Sequence, residues 1–156
     1  MIIKKNIKDV PATHRNEHEL YEFYKYPLVF PGKESKYCIV SAYEIPPGKS
    51  NYPYHYHMQM EEVFYIISGT GTLKTPDGEQ KITAGDVLFF PTGEKGAHKI
   101  TNTSDSEILK YIDFDTSIIP FDAVVHPDSG KVILYGSNGR QIYKTDSQIE
   151  DYYDGE

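Results

Sequence analysis

From about Tyr37 to Thr116 the chain alternates short runs of β-branched and aromatic residues with turn punctuation. YCIVSAYEI, Tyr37–Ile45, stops at Pro46-Pro47-Gly48, which cannot continue a ladder. Glu62–Ser68 follows; if Glu62 faces inward, so do Phe64, Ile66 and Ser68, although both faces of this strand are largely apolar. Thr70–Thr75 and Glu79–Thr83 flank Pro76-Asp77-Gly78, where proline presets φ and glycine tolerates a positive φ. Ala84-Gly85-Asp86 turns the chain into Val87–Phe90, which ends at Pro91. Lys99–Asn102 and Ile108–Phe114 complete the series. Short strands at this spacing predict a sandwich or barrel rather than alternating β and α units.

The flanks are less regular. Asn16–Tyr24, NEHELYEFY, is predicted as a short helix capped by Asn16. Lys131–Tyr135 and Gln141–Lys144, joined through Asn138-Gly139, predict a hairpin, and the final DYYDGE reads as a solvated acidic end. The expected organisation is therefore an N-terminal arm (1–36), a barrel core (37–116) and a C-terminal extension packed on it (117–156).

Composition narrows the possibilities. The 156 residues carry a net charge of −7, which argues against a nucleic-acid backbone as partner. Cys38 is the only cysteine, so neither an intramolecular disulfide nor a cysteine-based zinc site is expected. No apolar run resembles a signal h-region or a membrane span, and the expected location is cytoplasmic, with no membrane partner.

The chemistry concentrates in PYHYHMQMEEVFYIISGTG, Pro53–Gly71. Side chains two apart on a strand share a face, so His55 and His57 can aim at one point. Glu62 opens the next strand, and GDVLFFPTGEKGAHKITN, Gly85–Asn102, brings His98. Three imidazoles and one carboxylate form an inner shell for one divalent metal ion, with imidazole suiting Zn, Ni, Cu or Fe and carboxylate suiting Mn or Fe. A buried carboxylate without such a partner costs several kcal/mol, and Pro53–Gly71 holds no Lys or Arg to supply one.

These residues resemble the two motifs of the cupin superfamily. Gly48, His55, His57, Glu62 and Gly69 match the first; Gly85, Pro91, Gly93, His98 and Asn102 match the second. The loops before His55 and His98 are longer than the pattern by one and two residues. PTGEKGAH, HPDSGK and DYYDGE also resemble a group of small single-domain bacterial cupins with no settled activity. The resemblance implies an all-β, double-stranded β-helix (jelly-roll) barrel with a metal inside one end, bound by His55, His57, Glu62 and His98. Its six-residue interval to Gly69 favours Glu62 over Glu61 as the ligand.

Two functions fit. A facial ligand set leaves positions open for a substrate, as in a metal-dependent oxygenase, decarboxylase or isomerase using Fe, Mn, Zn or Ni. The alternative is a non-catalytic module that binds or senses a small-molecule ligand. Tyr43, Phe64 and Ser68 are candidate pocket residues. No catalytic acid or base is assigned, since Lys110 and Asp113 have opposite parity and only one can face inward. His14 and His18 are expected at the surface and His126 in a loop, and aromatic strand faces with an irregular arm make a homodimer plausible.

Overall fold

The computed structural model describes residues 2–116, 121–136 and 139–145. Its thirteen strands are β1 (Thr13–His18), β2 (Tyr21–Val29), β3 (Cys38–Ile45), β4 (Tyr56–His57), β5 (Glu62–Ser68), β6 (Thr70–Thr75), β7 (Gly78–Thr83), β8 (Val87–Phe90), β9 (Lys99–Thr101), β10 (Leu109–Thr116), β11 (Asp122–His126), β12 (Lys131–Gly136) and β13 (Gly139–Lys144). They pair as β1-β2-β3-β10-β5-β8, as β13-β12-β11-β4 and as β7-β6-β9. Bridges from Ser50 to Tyr21 and Thr101, and from His55 to His98, stitch these groups together.

The segment predicted as a helix is a hairpin. Thr13–His18 pairs with Tyr21–Val29, which then pairs with β3, so half of the expected arm extends the main sheet. Pairing with β3 decides the conformation, because a nine-residue segment with local helical spacing gains more from a ladder and a buried Phe23 than from isolated helical turns. The expected C-terminal hairpin forms as β12–β13, and β11 attaches it to β4. Asn138 and DYYDGE lie outside the described residues.

Register places the interior of the six-stranded sheet in rows. Asp115, Glu62 and Phe90 form one; Ser41, Asp113, Phe64 and Leu88 the next; then Tyr43, Tyr111 and Ile66; then Ile45 and Leu109. The last two rows continue into Leu73, Ile82 and Ile100 as the apolar core. The barrel is thus apolar at one end and polar at the other. Gly71 lets the core close: a Cβ there would lie 2.6 Å from the Thr101 carbonyl oxygen. Asn102, fully buried, ties loops together by donating to the Ile45 and Glu107 carbonyls and accepting from the Ser104 N–H.

Candidate metal centre

At the polar end, His55, Glu62 and His98 each present one ligand atom, all within 4.8 Å of one another, and all three residues are buried. The local chain fixes which atoms these are. The Pro53 carbonyl accepts from His55 Nδ1 at 2.8 Å, and the Gly96 carbonyl accepts from His98 Nδ1 at 2.9 Å. A carbonyl can only accept, so each proton sits on Nδ1 and each Nε2 turns a bare lone pair inward. His98 Nε2 lies 3.5 Å from Glu62 Oε2, and His57 Nε2 lies 3.6 Å from Glu62 Oε1.

The pKa shifts share a cause. Burial, then the neighbouring His98 and His57, pushes His55 well below the ordinary histidine value. Burial holds His98 down to about 4. Burial, followed by the charges of Asp115, Asp113 and Asp122, drives Glu62 well above the ordinary carboxylate range. Neutral imidazole is the ligating form. The imidazole lone pairs thus converge on Glu62, whose carboxyl has at most one proton to share among them. That arrangement is unfavourable when empty and fits a divalent cation, which supplies the missing positive charge.

Walls of different character enclose this point. His55, His57 and His98 come from the β4–β9 side, and His126 of β11 stacks on His55 with ring centroids 5.6 Å apart. His126 is thus a buried strand residue rather than the predicted loop residue. Neither of its ring nitrogens has a hydrogen-bond partner. Burial, followed by Lys131, lowers its pKa. Opposite stand the carboxylates. Asp115 is the cross-strand partner of Glu62, and Asp113 accepts from the Ser41 N–H at 2.6 Å. Both have raised pKa values, chiefly from burial; Asp113 further raises Asp115, while Lys25 opposes both. Asp115 Oδ1 and the Ser41 hydroxyl are buried without partners.

Of the remaining sequence candidates, Tyr43 and Phe64 are buried in the core, Tyr43 stacked on Tyr111 at 4.8 Å and Phe64 edge-on to His98 at 5.6 Å. Ser68 lies at the far end of β5, about 20 Å along the strand from Glu62. Glu61 is exposed. The parity choice on β10 resolves towards Asp113, because Lys110 turns outward to Glu44 at 2.7 Å. His14 and His18 are exposed on β1 rather than on a helix. Asp115, Asp122 and His126 were missed; the signal for Asp115 was its place two residues after Asp113 on one strand, and Asp122 had none.

The fold and this donor set define a barrel built to hold a metal ion. A cupin domain family model matches residues 41–115, and this segment is a cupin domain. Two solved structures, from Acidithiobacillus ferrooxidans and Silicibacter pomeroyi, each align over 96% of this chain with TM-score 0.81. They share 22% and 18% identity with it, over 94% and 98% of their own chains. Both are described as sugar phosphate isomerases, the first provisionally; at this identity the likeness establishes the fold alone. An oxalate-binding protein of Thermotoga maritima is 32% identical over 74 residues, 47% of this chain and 59% of that protein.

Proposed function

We propose that this cupin is a metal-dependent enzyme of the isomerase or lyase type, which moves a proton on a small polyhydroxylated substrate. The observation that carries this reading is the position of Asp115. It is directly across the strand pair from the ligand Glu62, faces the interior, and leaves Oδ1 unpaired. A carboxyl group with a raised pKa beside a metal centre suits proton transfer near neutral pH. His55, His98 and Glu62 would hold the ion, with His57 as the fourth ligand. A divalent ion held there would supply Lewis-acid polarisation of a substrate carbonyl and so make the neighbouring C–H more acidic. Asp115, as carboxylate, takes that proton and returns it to the adjacent carbon. Asp113 and the Ser41 hydroxyl lie in the next row, where they accept and donate hydrogen bonds to substrate hydroxyls.

The fold likeness to sugar phosphate isomerases over nearly the whole chain supports this reading. The electrostatics argue against oxalate, the ligand in the name of the Thermotoga relative. A dianion as small as oxalate would lie wholly against Glu62, Asp113 and Asp115, whereas both arginines, Arg15 and Arg140, are exposed on β1 and β13. Lys25, over the Tyr43 ring at 5.1 Å, is the cation that acts on these carboxylates.

The test is reconstitution with Mn(II), Fe(II), Zn(II) or Ni(II), followed by incubation with aldoses, ketoses and their phosphates in D2O. Deuterium incorporation at the carbon beside the carbonyl, lost in Asp115→Asn with metal content unchanged, is the expected result. Release of CO2 from oxalate or consumption of O2 would replace the reading with decarboxylation or oxygenation. Ligand binding without turnover would leave a sensing module.

We further propose a homodimer formed through the outer face of the main sheet. Tyr65, Ile67, Val87, Phe89 and Phe114 are exposed there, next to the edge strand β8. Light scattering giving a monomer mass at micromolar concentration would contradict it.

A further inference from the structure

We infer that Asp122, on a strand outside the segment matched by the cupin domain, is a positioning residue that makes His57 a ligand. His57 differs from the other two histidines. The Nδ1 atoms of His55 and His98 are fixed by carbonyls two residues away in their own loops. His57 Nδ1 instead meets the carboxylate of Asp122, 65 residues later, at 2.5 Å. The contact is built on both sides. Asp122 Oδ1 accepts the Gln59 N–H at 3.0 Å, which fixes the carboxylate plane and aims Oδ2 at the ring. The Met58 N–H donates to the Ala123 carbonyl, and Val124 registers with His57, so β11 is locked beside β4. On its other flank, the His57 carbonyl accepts from the Gly93 N–H at 2.8 Å.

A carboxylate accepts, so the imidazole proton stays on Nδ1 and the lone pair stays on Nε2, 3.6 Å from Glu62. Hydrogen bonding of this kind orients a metal-binding histidine and raises its basicity, and its loss costs about 10–100-fold in metal affinity. Asparagine at this position reverses the instruction. Its Oδ1 remains with Gln59, and its NH2 donates to Nδ1, which drives the proton onto the nitrogen needed for the metal. The strand that distinguishes this chain from the matched segment thus sets the tautomer of one ligand.

This inference rests on the metal-centre reading, and the experiment separates the two by a readout that needs no metal. Nitrogen-15 shifts of the His57 ring in metal-free protein, in mildly alkaline buffer, should show Nδ1 protonated in wild type and Nε2 protonated in Asp122→Asn. Mn(II) and Zn(II) affinities, measured by competition with a chromophoric chelator, should then fall about 10–100-fold. A wild-type ring protonated on Nε2, or an Asp122→Asn protein with unchanged tautomer or affinity, would overturn the assignment. Should the variant fail to fold, the wild-type spectrum alone decides. Wild-type protein that binds neither metal yet shows the expected tautomer would refute the metal reading and leave the Asp122–His57 contact standing.

Discussion

Replacing Glu62 by glutamine should move stability in opposite directions with and without metal. In the metal-free protein the Glu62 carboxyl is buried across from Asp115, between imidazole lone pairs. Its folded-state pKa is raised by burial and by the Asp115, Asp113 and Asp122 charges, so the folded state holds a proton that the unfolded state has released. Its contribution is therefore complete below the ordinary glutamate range and is lost as pH climbs towards the elevated value. Protonating a group near 4.3 at pH 8 costs about 5 kcal/mol, which caps the penalty. Glutamine removes this penalty but must find hydrogen bonds, leaving a gain of about 1–3 kcal/mol at pH 8 and almost none at pH 5. At about 2–4 °C per kcal/mol for a domain of this size, Tm should rise by about 2–12 °C at the higher pH. Mn(II) at a hundred times its Kd should add about 2.7 kcal/mol to wild type and nothing to the variant. Thermal melts at both pH values, with and without Mn(II), measure all of this. A variant that melts below wild type at both pH values without metal, or that Mn(II) stabilises as much as wild type, would refute the argument.

Further outcomes follow from the same geometry. His57→Ala should fold and lose metal, read by elemental analysis after purification without chelators. His98 resists protonation until about pH 4, so from about 6.5 down to 4 its own contribution to the stability of the metal-free protein is lost as pH falls, against the opposite trend of Glu62 and Asp115; His98→Gln should remove that contribution, read as the difference between the two proteins' acid melts. Gly71→Ala places a methyl 2.6 Å from the Thr101 oxygen and 2.9 Å from Leu109 Cδ2, and should cost about 1–3 kcal/mol by denaturant titration. Lys110→Ala breaks a partly exposed pair with Glu44 and should change stability by under about 1 kcal/mol, with metal binding intact.

What the sequence disclosed and concealed follows from physical range. Strands such as Glu62–Ser68 and Val87–Phe90 were legible because glycine and proline bound them, and the His-x-His spacing pointed through period two to His55, which converges with Glu62 and His98. The Asn16–Tyr24 segment was not, since Leu20, Tyr21, Phe23 and Tyr24 fit helical spacing as well as alternation, and only β3, distant in sequence, chooses between them. On β10 the apparent rule is inverted. Ile112 and Phe114 suggest an apolar inner face, yet Phe114 is 43% exposed while Asp113 and Asp115 are buried. Alternation reports two faces without saying which one meets the interior, and at a functional end the charged face can be the inner one. Asp122 and His126 were out of reach for a similar reason, because their roles depend on the register of β11 against β4.

The separation of imidazoles and carboxylates onto opposing walls has a mechanical side. The histidines belong to the β4–β9 side and Glu62 to the six-stranded sheet, with few backbone hydrogen bonds among the described residues crossing at that end. An ion held between them would act as a rivet through a seam. Its removal leaves the walls joined there by contacts such as Phe90 against His98, ring centroids 3.7 Å apart. The barrel mouth should then breathe more widely while the apolar end stays shut, so that amides of β4 and β9 exchange with solvent faster as the ion leaves and those of Ile45, Ile66 and Leu109 do not.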